Sequence, residues 1–352
     1  MGIIWARRRL GRIGLGVGWG LALACAPLLA TAQANAQGNA QAAAATGTAT
    51  PGGGAWLQRI QQAAATASYQ GTLMFSAGGV VSSAKVAHYC DGRQRYERLE
   101  LLDGRARLQY RHNDQVLTLW PAAKVAMAGQ RDAVTEFPAL PAAADTRALD
   151  SYDLRHVGKE RVAGHEVDVL MLKPRDQLRF AQRLWADRET GLLLRNDLLS
   201  PGGEVLESST FVDVQIGGRP QPEPILRAMK KLDGYRVLRP QAERTQLEAE
   251  GWAIGKPVPG FQMVSCTRRP LDATAEGDAP VQVLQSVFSD GLAQVSVFIE
   301  PYDAQRHKQA MGTSLGASHT LMVRRGDWWI TVVGEVPMAT VQQFEAMLER
   351  KR

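Results

Sequence analysis

The segment V-Q-V-L-Q-S-V-F-S-D-G-L-A-Q-V-S-V-F-I, residues 281–299, decides the fold of the C-terminal third of the chain. Two runs rich in β-branched residues, Val281–Phe288 and Leu292–Ile299, flank Ser289-Asp290-Gly291. An Asp-Gly pair between such runs is the strongest short signal for a β-hairpin, because both residues tolerate the positive φ angles of a tight turn. The segment therefore predicts two antiparallel strands joined at this turn.

The following residues extend this hairpin into a small domain, residues 251–352. Leu321–Val323 and Trp328–Val333 repeat the arrangement around a second Gly-containing turn. The segment Asp303–Met311, between the hairpins, is compatible with a helix. Pro337 suits the first turn of another helix, and apolar residues recur after it at helical spacing: Val341, Phe344, Met347 and Leu348. We therefore predict a small antiparallel sheet with a covering helix.

Residues 55–217 predict a larger sheet domain that opens with an amphipathic helix carrying Trp56, Leu57, Ile60 and Ala64. Strand-like runs follow at 70–76, 80–90, 93–101, 106–110, 115–120, 160–172, 178–186, 192–199 and 204–216. Short turns join them, and parallel pairing would need helical crossovers for which the sequence has no room. The predicted fold class is α+β, with a large, curved antiparallel sheet whose apolar face is covered by helices.

The N-terminus predicts export. A cluster of arginines precedes a Gly/Leu/Ala-rich stretch that ends at Ala30-Thr31-Ala32, the pattern of a cleaved signal peptide over residues 1–32. A lipid anchor at Cys25 is an alternative. Residues 33–54, rich in Ala, Gln, Gly and Thr, predict a disordered lead-in. Beyond the signal peptide, the sequence contains no apolar run of membrane-spanning length.

The charge balance argues against a nucleic-acid partner. The formal net charge of +6 includes four arginines of the signal peptide, and their removal leaves 37 basic and 35 acidic residues. Such a balance gives little attraction to a phosphate backbone. The remaining basic bias lies in the predicted linker, residues 218–250: Arg227, Lys230, Lys231, Arg236, Arg239 and Arg244. This cluster is either a solvated linker or a contact for an acidic partner.

Two cysteines remain after processing, Cys90 and Cys266, in different predicted domains. In an oxidising compartment they could pair and fix the two domains against each other. Two separate thiols are the default expectation, since pairing requires a close approach of the two Cα atoms. The six histidines show no metal-ligand spacing, and no CxxC motif is present. We expect no metal and no other cofactor.

One segment matches a catalytic motif by spacing. Gly312-Thr313-Ser314-Leu315-Gly316 fits the G-x-S-x-G nucleophile elbow, which places a serine on a strand-to-helix turn with an acid and a histidine later in the chain. His319 lies only five residues further on, and the remaining chain is too short for the parallel α/β scaffold of such enzymes. We expect a loop before a strand here, and a protein that is not an enzyme. A secreted serine hydrolase built on Ser314 is the less favoured alternative.

Three C-terminal runs occur in an order that resembles a known family. They are S-C-T-R-R-P-L at Ser265–Leu271, V-F-S-D-G-L at Val287–Leu292 and I-T-V-V-G-E-V-P at Ile330–Pro337. This set resembles the C-terminal domain of the RseB/MucB family, periplasmic regulators of sigma-E. Tyr152-Asp153 and the runs Val157–Ala163 and Leu184–Leu199 resemble the N-terminal domain of the same family. The resemblance covers most of the chain after the lead-in.

The resemblance implies a fold and a function. The N-terminal domain should look like the lipoprotein carriers, a half-barrel sheet with helices on its concave face. The protein should act in the periplasm as a negative regulator of the sigma-E envelope stress response. It should bind the periplasmic segment of a membrane-bound anti-sigma factor and shield it from the site-1 protease, with relief by lipopolysaccharide or lipoprotein acyl chains. A lipid or lipoprotein carrier is the alternative, and a homo-oligomer is compatible with either.

Candidate binding residues follow from these expectations. Adjacent strand residues face opposite sides, so one residue of Arg268–Arg269 could pair with an acidic partner, although a salt bridge to Asp290 or Glu300 is an alternative. One indole of Trp328–Trp329 should be core and the other an interface anchor. Lys230 and Lys231 complete the candidate partner contacts. Seven residues could line a cavity for acyl chains, or simply pack the sheet against its helices: Leu73, Phe75, Tyr110, Trp120, Phe180, Leu184 and Trp185.

Overall fold

The computed structural model describes residues 52–130, 146–240, 242–270 and 282–351, which all belong to one compact unit, Gly47–Arg352. The predicted signal peptide and residues 33–51 of the predicted lead-in lie outside the described residues. The α-helices of the described residues are α1 (Gly53–Thr66), α2 (Glu223–Lys230) and α3 (Met338–Ala346). Within the described ranges, none of these helices has the length and hydropathy needed to cross a membrane.

Twelve strands form a large sheet that carries α1 and α2; we call this part the N-terminal lobe. Its spatial order is β12-β6-β5-β4-β3-β2-β1-β11-β10-β9-β8-β7, and each neighbouring pair is antiparallel except β12 with β6. The strands are β1 (Tyr69–Ala77), β2 (Val80–Cys90), β3 (Arg95–Leu101), β4 (Leu108–His112), β5 (Gln115–Trp120), β6 (Val125–Gln130), β7 (Tyr152–Val162), β8 (His165–Pro174), β9 (Ala181–Asp187), β10 (Leu193–Leu199), β11 (Val205–Ile216) and β12 (Arg236–Leu238).

The predicted large antiparallel sheet is confirmed, with three differences in its strands. The exclusion of parallel pairing is wrong at one edge, because β12, from the predicted linker, pairs in parallel with β6. The predicted strand 160–172 is wrong, because it contains the turn between β7 and β8. Ala163 and Gly164 both have positive φ angles, 49° and 85°, as a two-residue hairpin turn of this type requires. Strand β6 was not predicted, since Val125-Ala126-Met127-Ala128 lacks the alternation of a half-buried strand.

Seven strands form a smaller sheet, which with α3 makes up the C-terminal lobe, in the order β13-β15-β16-β17-β20-β19-β18. These strands are β13 (Glu243–Arg244), β15 (Gln262–Pro270), β16 (Gln282–Ser289), β17 (Gln294–Pro301), β18 (Met311–Leu315), β19 (Ser318–Arg325) and β20 (Trp328–Gly334). The remaining strands, β14 (Trp252–Ile254) and β21 (Leu348–Arg350), pair with each other. Both predicted hairpins and the covering helix are confirmed.

The helix considered for Asp303–Met311 is wrong. The Asp303 carboxylate accepts the backbone N–H of Gln305 at 2.7 Å, and the His307 ring accepts the N–H of Asp303 at 2.9 Å. These local bonds fold the chain into a turn, since aspartate competes with helix formation by bonding nearby backbone groups. Met311 then begins β18.

Helices α1 and α2 pack on opposite faces of the large sheet. Tyr69 of β1 lies in one apolar cluster with Ala63 of α1, and its paired neighbour His88 stacks on its ring at 5.3 Å. The next residue along β2, Tyr89, packs in the cluster that contains Ile225 of α2. Because successive side chains of a strand point to opposite faces, the two helices cover different faces.

The segment predicted as a linker, residues 218–250, contributes to both sheets. Helix α2 packs on the large sheet, where β12 also pairs with β6. Strand β13 then pairs with β15 of the small sheet. The segment therefore has backbone partners in each lobe.

A buried ion pair joins the lobes. Arg179, in the loop between β8 and β9, donates from Nε to Asp290 Oδ2 at 2.5 Å, and the side-chain surfaces of both residues are 0% exposed. The Arg179 guanidinium also donates to the carbonyl of Pro259 at 2.8 Å and pairs with Asp176. Burial, and after it the Asp290 charge, raise the pKa of the neighbouring Tyr152.

We expect Arg179→Ala to destabilise the protein by about 3–5 kcal/mol, because it leaves the Asp290 carboxylate buried without its cation. Arg175→Ala is the matched control, since Arg175 lies in the same loop and pairs with Asp153 with both side chains about half exposed. Its loss should be about 1 kcal/mol or less. Urea unfolding of both variants measures the difference, and equal losses would contradict the structural role of the buried pair.

Candidate functional site

Helix α2 lies over the β3–β6 part of the large sheet and is strongly amphipathic. Ile225 is buried against Tyr96, Tyr110 and Leu117, while the charged residues of the helix face solvent. Pro222 precedes the helix and Glu223 occupies its first turn, an order that suits a helix start. The helix therefore covers the sheet with one apolar stripe.

A cavity of about 470 Å³, here called the α2 cavity, opens between this helix and strands β4–β6. Its apolar lining comes from the sheet and from the helix side: Val116, Leu117, Ala128, Leu226, Met229 and Leu232. Lys230 and Arg239 also line it. Apolar walls with a few convergent polar groups are typical of small-ligand sites. Two cations above an apolar wall suit an amphiphile with an anionic head group.

A second cavity, of about 500 Å³, here called the polar cavity, lies near the start of α2, and eight of its fourteen lining residues are polar or charged. Tyr89 donates to Gln70 Oε1 at 3.0 Å, and Gln70 donates to Gln215 Oε1 at 2.9 Å. Lys85 and Asp213 flank Thr72 on the two neighbouring strands. These side chains already satisfy one another or face solvent, so the α2 cavity is the better candidate for an apolar ligand.

The residues predicted to line an acyl-chain cavity are not brought together. Leu73 and Trp185 lie in one core cluster, Leu184 in a second, Tyr110 in a third and Phe180 in a fourth. Phe75 and Trp120 are half-buried. None of the seven lines the α2 cavity or the polar cavity.

Sequence reasoning missed the residues that do line the α2 cavity. Their signal is the helical spacing of Leu226 and Met229 beside buried Ile225 in α2, with Leu232 just beyond the end of the helix. Because charged residues and prolines surround these apolar residues, the segment was interpreted as a linker. Lys230 was identified, and it lines this cavity, whereas its neighbour Lys231 is exposed and does not.

The two predicted partner-binding arginines lie on β15 and have different neighbours. Arg268 pairs with Glu243 at 2.8 Å and with Glu250 at 3.6 Å, and its side chain remains 45% exposed. The Arg269 guanidinium lies over the Phe298 ring, 5.7 Å from its centre. The sequence analysis considered a salt bridge to Asp290 or Glu300, and the salt bridges of Arg268 involve neither of these residues.

The adjacent tryptophans divide as predicted into a buried and a more accessible one. Trp329 is 5% exposed and stacks on His307 at 4.7 Å with nearly parallel rings. Trp328 is half-buried, meets Trp252 edge to face at 5.7 Å and lies beneath the Arg350 guanidinium. Trp328 is therefore the more exposed of the two tryptophans.

The two cysteines are separate free thiols, so the alternative of a disulfide is not realised. Cys90 is half-buried at the end of β2, while Cys266 is buried and accepts the Ser286 hydroxyl at 3.4 Å. Burial raises the pKa of the Cys266 thiol. Within the described ranges, no group of three or more His, Cys, Asp or Glu residues could hold a metal ion.

The G-x-S-x-G segment is a strand and not the expected loop. Ser314 lies in β18 and pairs in register with His319 of β19. A two-residue turn, Gly316–Ala317, joins the two strands. His319 Nδ1 lies 3.0 Å from the Ala317 carbonyl. Ser314 therefore does not occupy the strand-to-helix turn that the nucleophile elbow requires.

A buried carboxyl group lies where the lobes meet. Glu207 of β11 is 5% exposed, and the β18–β19 turn approaches it so closely that a Cβ added at Gly316 would lie 2.8 Å from Glu207 Cγ. Burial, and after it the nearby Glu335 carboxylate, raise the pKa of Glu207 to about 8. The side chain therefore keeps its proton at neutral pH, which avoids an unpaired charge at the lobe contact.

Comparison with known proteins gives a consistent result over both lobes. Residues 53–230 match the family model of the MucB/RseB N-terminal domain, and residues 246–349 match that of the MucB/RseB C-terminal domain. The sigma factor AlgU regulatory protein MucB of Pseudomonas aeruginosa is 32% identical over 82% of this chain and 88% of its own. The sigma-E factor regulatory protein RseB of Escherichia coli is 25% identical over 84% of this chain and 90% of its own.

A solved structure resembles the chain over the same extent. The complex structure of Pseudomonas aeruginosa MucA/MucB matches with a TM-score of 0.63 and 28% identity, and the match covers 85% of this chain and 98% of the solved chain. The similarity therefore includes both lobes and the segment between them.

The Glu207 carboxyl group predicts a pH dependence of stability. Because folding raises its pKa from 4.5 to about 8, the folded state holds this proton more tightly than the unfolded state. The stabilisation that the protonated Glu207 side chain contributes to the free energy of unfolding is therefore fully present below about pH 4.5 and is lost as the pH rises towards about 8. At pH 7 the loss is on the order of 3 kcal/mol.

Glu207→Gln cannot ionise, so we expect its stability to decline less than that of the wild type between about pH 5 and about pH 9. Urea unfolding across this range provides the measurement. Glu204→Gln, at an exposed position just before β11, is the control and should retain the wild-type slope. Parallel profiles for the wild type and Glu207→Gln would refute the assignment.

Proposed function

The chain belongs to the MucB/RseB family, and on that premise we propose that it is a periplasmic negative regulator that binds the periplasmic segment of an anti-sigma-E factor. The observation that carries the proposal is the extent of the likeness to MucB in its complex with MucA, which includes both lobes of this chain. A partner that contacts both lobes requires a fixed arrangement of the two lobes, and the buried ion pair between Arg179 and Asp290 supplies it.

The proposed action is shielding and not catalysis. A bound anti-sigma segment would be protected from the site-1 protease by occupying a surface of this chain, so that sigma-E stays sequestered. The segment would order on binding, at an entropic cost that apolar burial must exceed. No bond in the partner needs to be broken by this chain, and Ser314 has no part in the mechanism.

The partner surface is proposed to include the accessible members of the candidate set. Arg268, Lys230 and Lys231 are exposed, and Trp328 offers a half-buried indole. An arginine that already faces two carboxylates can exchange one of them for an acidic group of a partner. Arg269 lies on the other face of β15, over the Phe298 ring, and Trp329 is buried. These two members of the candidate set are therefore proposed to support the strands that carry Arg268 and Trp328 and not to contact the partner directly.

Lipid relief is proposed to act through the α2 cavity. Its apolar lining and the two cations Lys230 and Arg239 suit an acyl chain with an anionic head group, as in lipopolysaccharide or a lipoprotein. Such a ligand can release the partner only if it binds the partner-free arrangement more tightly than the bound one. Helix α2 is the element through which the two states would differ, because it forms one wall of the cavity.

The partner proposal is tested by calorimetry of residues 33–352 with the periplasmic segment of the anti-sigma factor from the same organism. We expect saturable binding, and about tenfold weaker binding for Arg268→Ala because a charge-assisted contact is lost. Arg155→Ala, at an exposed position on β7, is the control and should bind as the wild type does. Absence of binding by a folded sample would reject the regulator function and favour the carrier alternative.

The lipid proposal is tested with a fluorescent fatty acid as the probe. Ala128→Phe fills the α2 cavity, and Lys230→Glu replaces a cation at its lining, so both should lower the affinity by about tenfold or more. Lys231→Glu changes the same charge one residue away, outside the cavity, and should leave the affinity unchanged. Equal effects of the two lysine variants would show that the probe binds elsewhere.

A further inference from the structure

The hairpin turn between β18 and β19 docks against the N-terminal lobe. Ala317, one of the two residues of this turn, is 0% exposed and packs in one apolar cluster with Phe180 and Leu198 of that lobe. The other residue, Gly316, lies so close to β11 that a Cβ added there would be 2.8 Å from the Leu206 carbonyl oxygen. These residues form a second contact between the lobes, here called the turn contact, in addition to the buried ion pair.

The turn contact covers the side chain of Glu207. This residue pairs in register with Ala77 of β1 and Leu198 of β10, and the turn closes over it from the C-terminal lobe. Within the described ranges, its carboxyl group makes no hydrogen bond and no salt bridge. The neutral carboxyl group fits this site, whereas the ionised form would be buried without a counter-charge, which costs much more free energy.

The charged groups around Glu207 do not stabilise its ionised form. Strand β1 contains no charged residue, and on β10 Arg195 and Asp197 point to the opposite face of the sheet, where they pair with each other at 2.7 Å. From the C-terminal lobe, His319 follows the turn, with Nδ1 3.0 Å from a backbone carbonyl oxygen, and Glu335 precedes α3. Burial, and after it the Glu335 carboxylate, raise the pKa of Glu207 to about 8.

We propose that the turn contact is a pH-sensitive switch, closed while Glu207 carries its proton and open once this side chain has ionised. Opening lets water reach the carboxylate, which removes the cost of burying an unpaired charge. Arg179 and Asp290 take no part in the turn contact, so the ion pair between them continues to hold the lobes together. The inference goes beyond the proposed function, because it concerns a contact within this chain and needs no partner or lipid.

The turn contact can open at a low cost. Gly316 and Ala317 carry almost no side-chain surface, so undocking exposes little apolar area of the turn itself. Leu315 is the larger side chain at its border, beside Gly78, and it is already 42% exposed. Strand β18 lies at the edge of the small sheet and, among the described strands, pairs with β19 alone. The ionisation of one buried carboxyl group can therefore exceed the cost of undocking the turn.

The pH dependence of opening follows from the linkage between proton binding and docking. Because docking raises the pKa of Glu207 from 4.5 to about 8, the closed turn holds the proton more tightly than the open turn. The closed state is therefore most favoured below about pH 4.5, and the equilibrium shifts towards the open state as the pH rises. One proton changes the opening constant by up to about tenfold per pH unit between about pH 5 and about pH 8, and the effect levels off above that range.

Hydrogen exchange of residues 33–352, followed by mass spectrometry and corrected for the intrinsic pH dependence of exchange, tests the switch. The backbone N–H groups of residues 314–319 should lose protection by up to about tenfold per pH unit between about pH 5 and about pH 8. The turn at Asp290–Gly291 is the internal control, because the buried ion pair holds it, and its protection should stay constant. Equal losses at both turns would indicate unfolding of the whole chain and would overturn the proposal.

Two variants assign the effect to the carboxyl group. Glu207→Gln cannot ionise, so the protection of residues 314–319 should no longer depend on pH. Glu335→Gln removes the neighbouring charge and should move the levelling-off point to a lower pH, and Glu204→Gln is the exposed control that should behave as the wild type does. The proposal is overturned if the wild type shows no such loss of protection, if Glu207→Gln retains it, or if Glu335→Gln leaves the levelling-off point unchanged.

Discussion

The contact between the Arg179 guanidinium and the Asp290 carboxylate is the interaction on which the arrangement of the lobes depends. Asp290 also accepts the N–H groups of Leu292 and Ala293, at 2.9 and 2.7 Å, and so fixes the turn between β16 and β17. One carboxylate therefore shapes the central hairpin of the C-terminal lobe and binds the N-terminal lobe. Because an unpaired charge in this position would cost several kcal/mol, neither lobe can move away without a replacement partner for it.

This contact limits how a ligand could change the relative position of the two lobes. Thr340 of α3 donates to the Leu178 carbonyl at 2.9 Å, one residue before Arg179, so the covering helix of the small sheet is tied to the same loop. A ligand that changed the relative position of the lobes would have to supply the free energy of breaking both contacts through its differential affinity. A ligand in the α2 cavity has an easier route, because α2 and β12 can shift on the large sheet while the buried ion pair stays intact.

The sequence predicted the parts of the fold that depend on local chemistry. Asp290-Gly291 and the runs of β-branched residues beside it were enough to place β16 and β17, and Pro337 with the apolar spacing after it was enough to place α3. The β7–β8 turn was missed because Ala163 has a positive φ angle that alanine seldom adopts, so Gly164 alone carried a turn signal. The ion pair of Arg179 could not be predicted at all, since 111 positions separate it from Asp290 and only the folded chain brings them together.

The site was predicted less completely, because its residues belong to a segment with two functions. Leu226 and Met229 must be apolar to cover the sheet, whereas Lys230 and Arg239 around them keep the segment soluble, and the mixture has the composition of a linker. In the G-T-S-L-G segment the opposite error was possible, namely the assignment of a catalytic site to a strand, because the spacing of its residues matched a catalytic motif. Small, uncharged residues are what both a nucleophile elbow and an open edge strand require, and the pairing of β18 with β19 decides between them. A motif therefore specifies a chemistry only after the topology has fixed which backbone groups are free to take part in it.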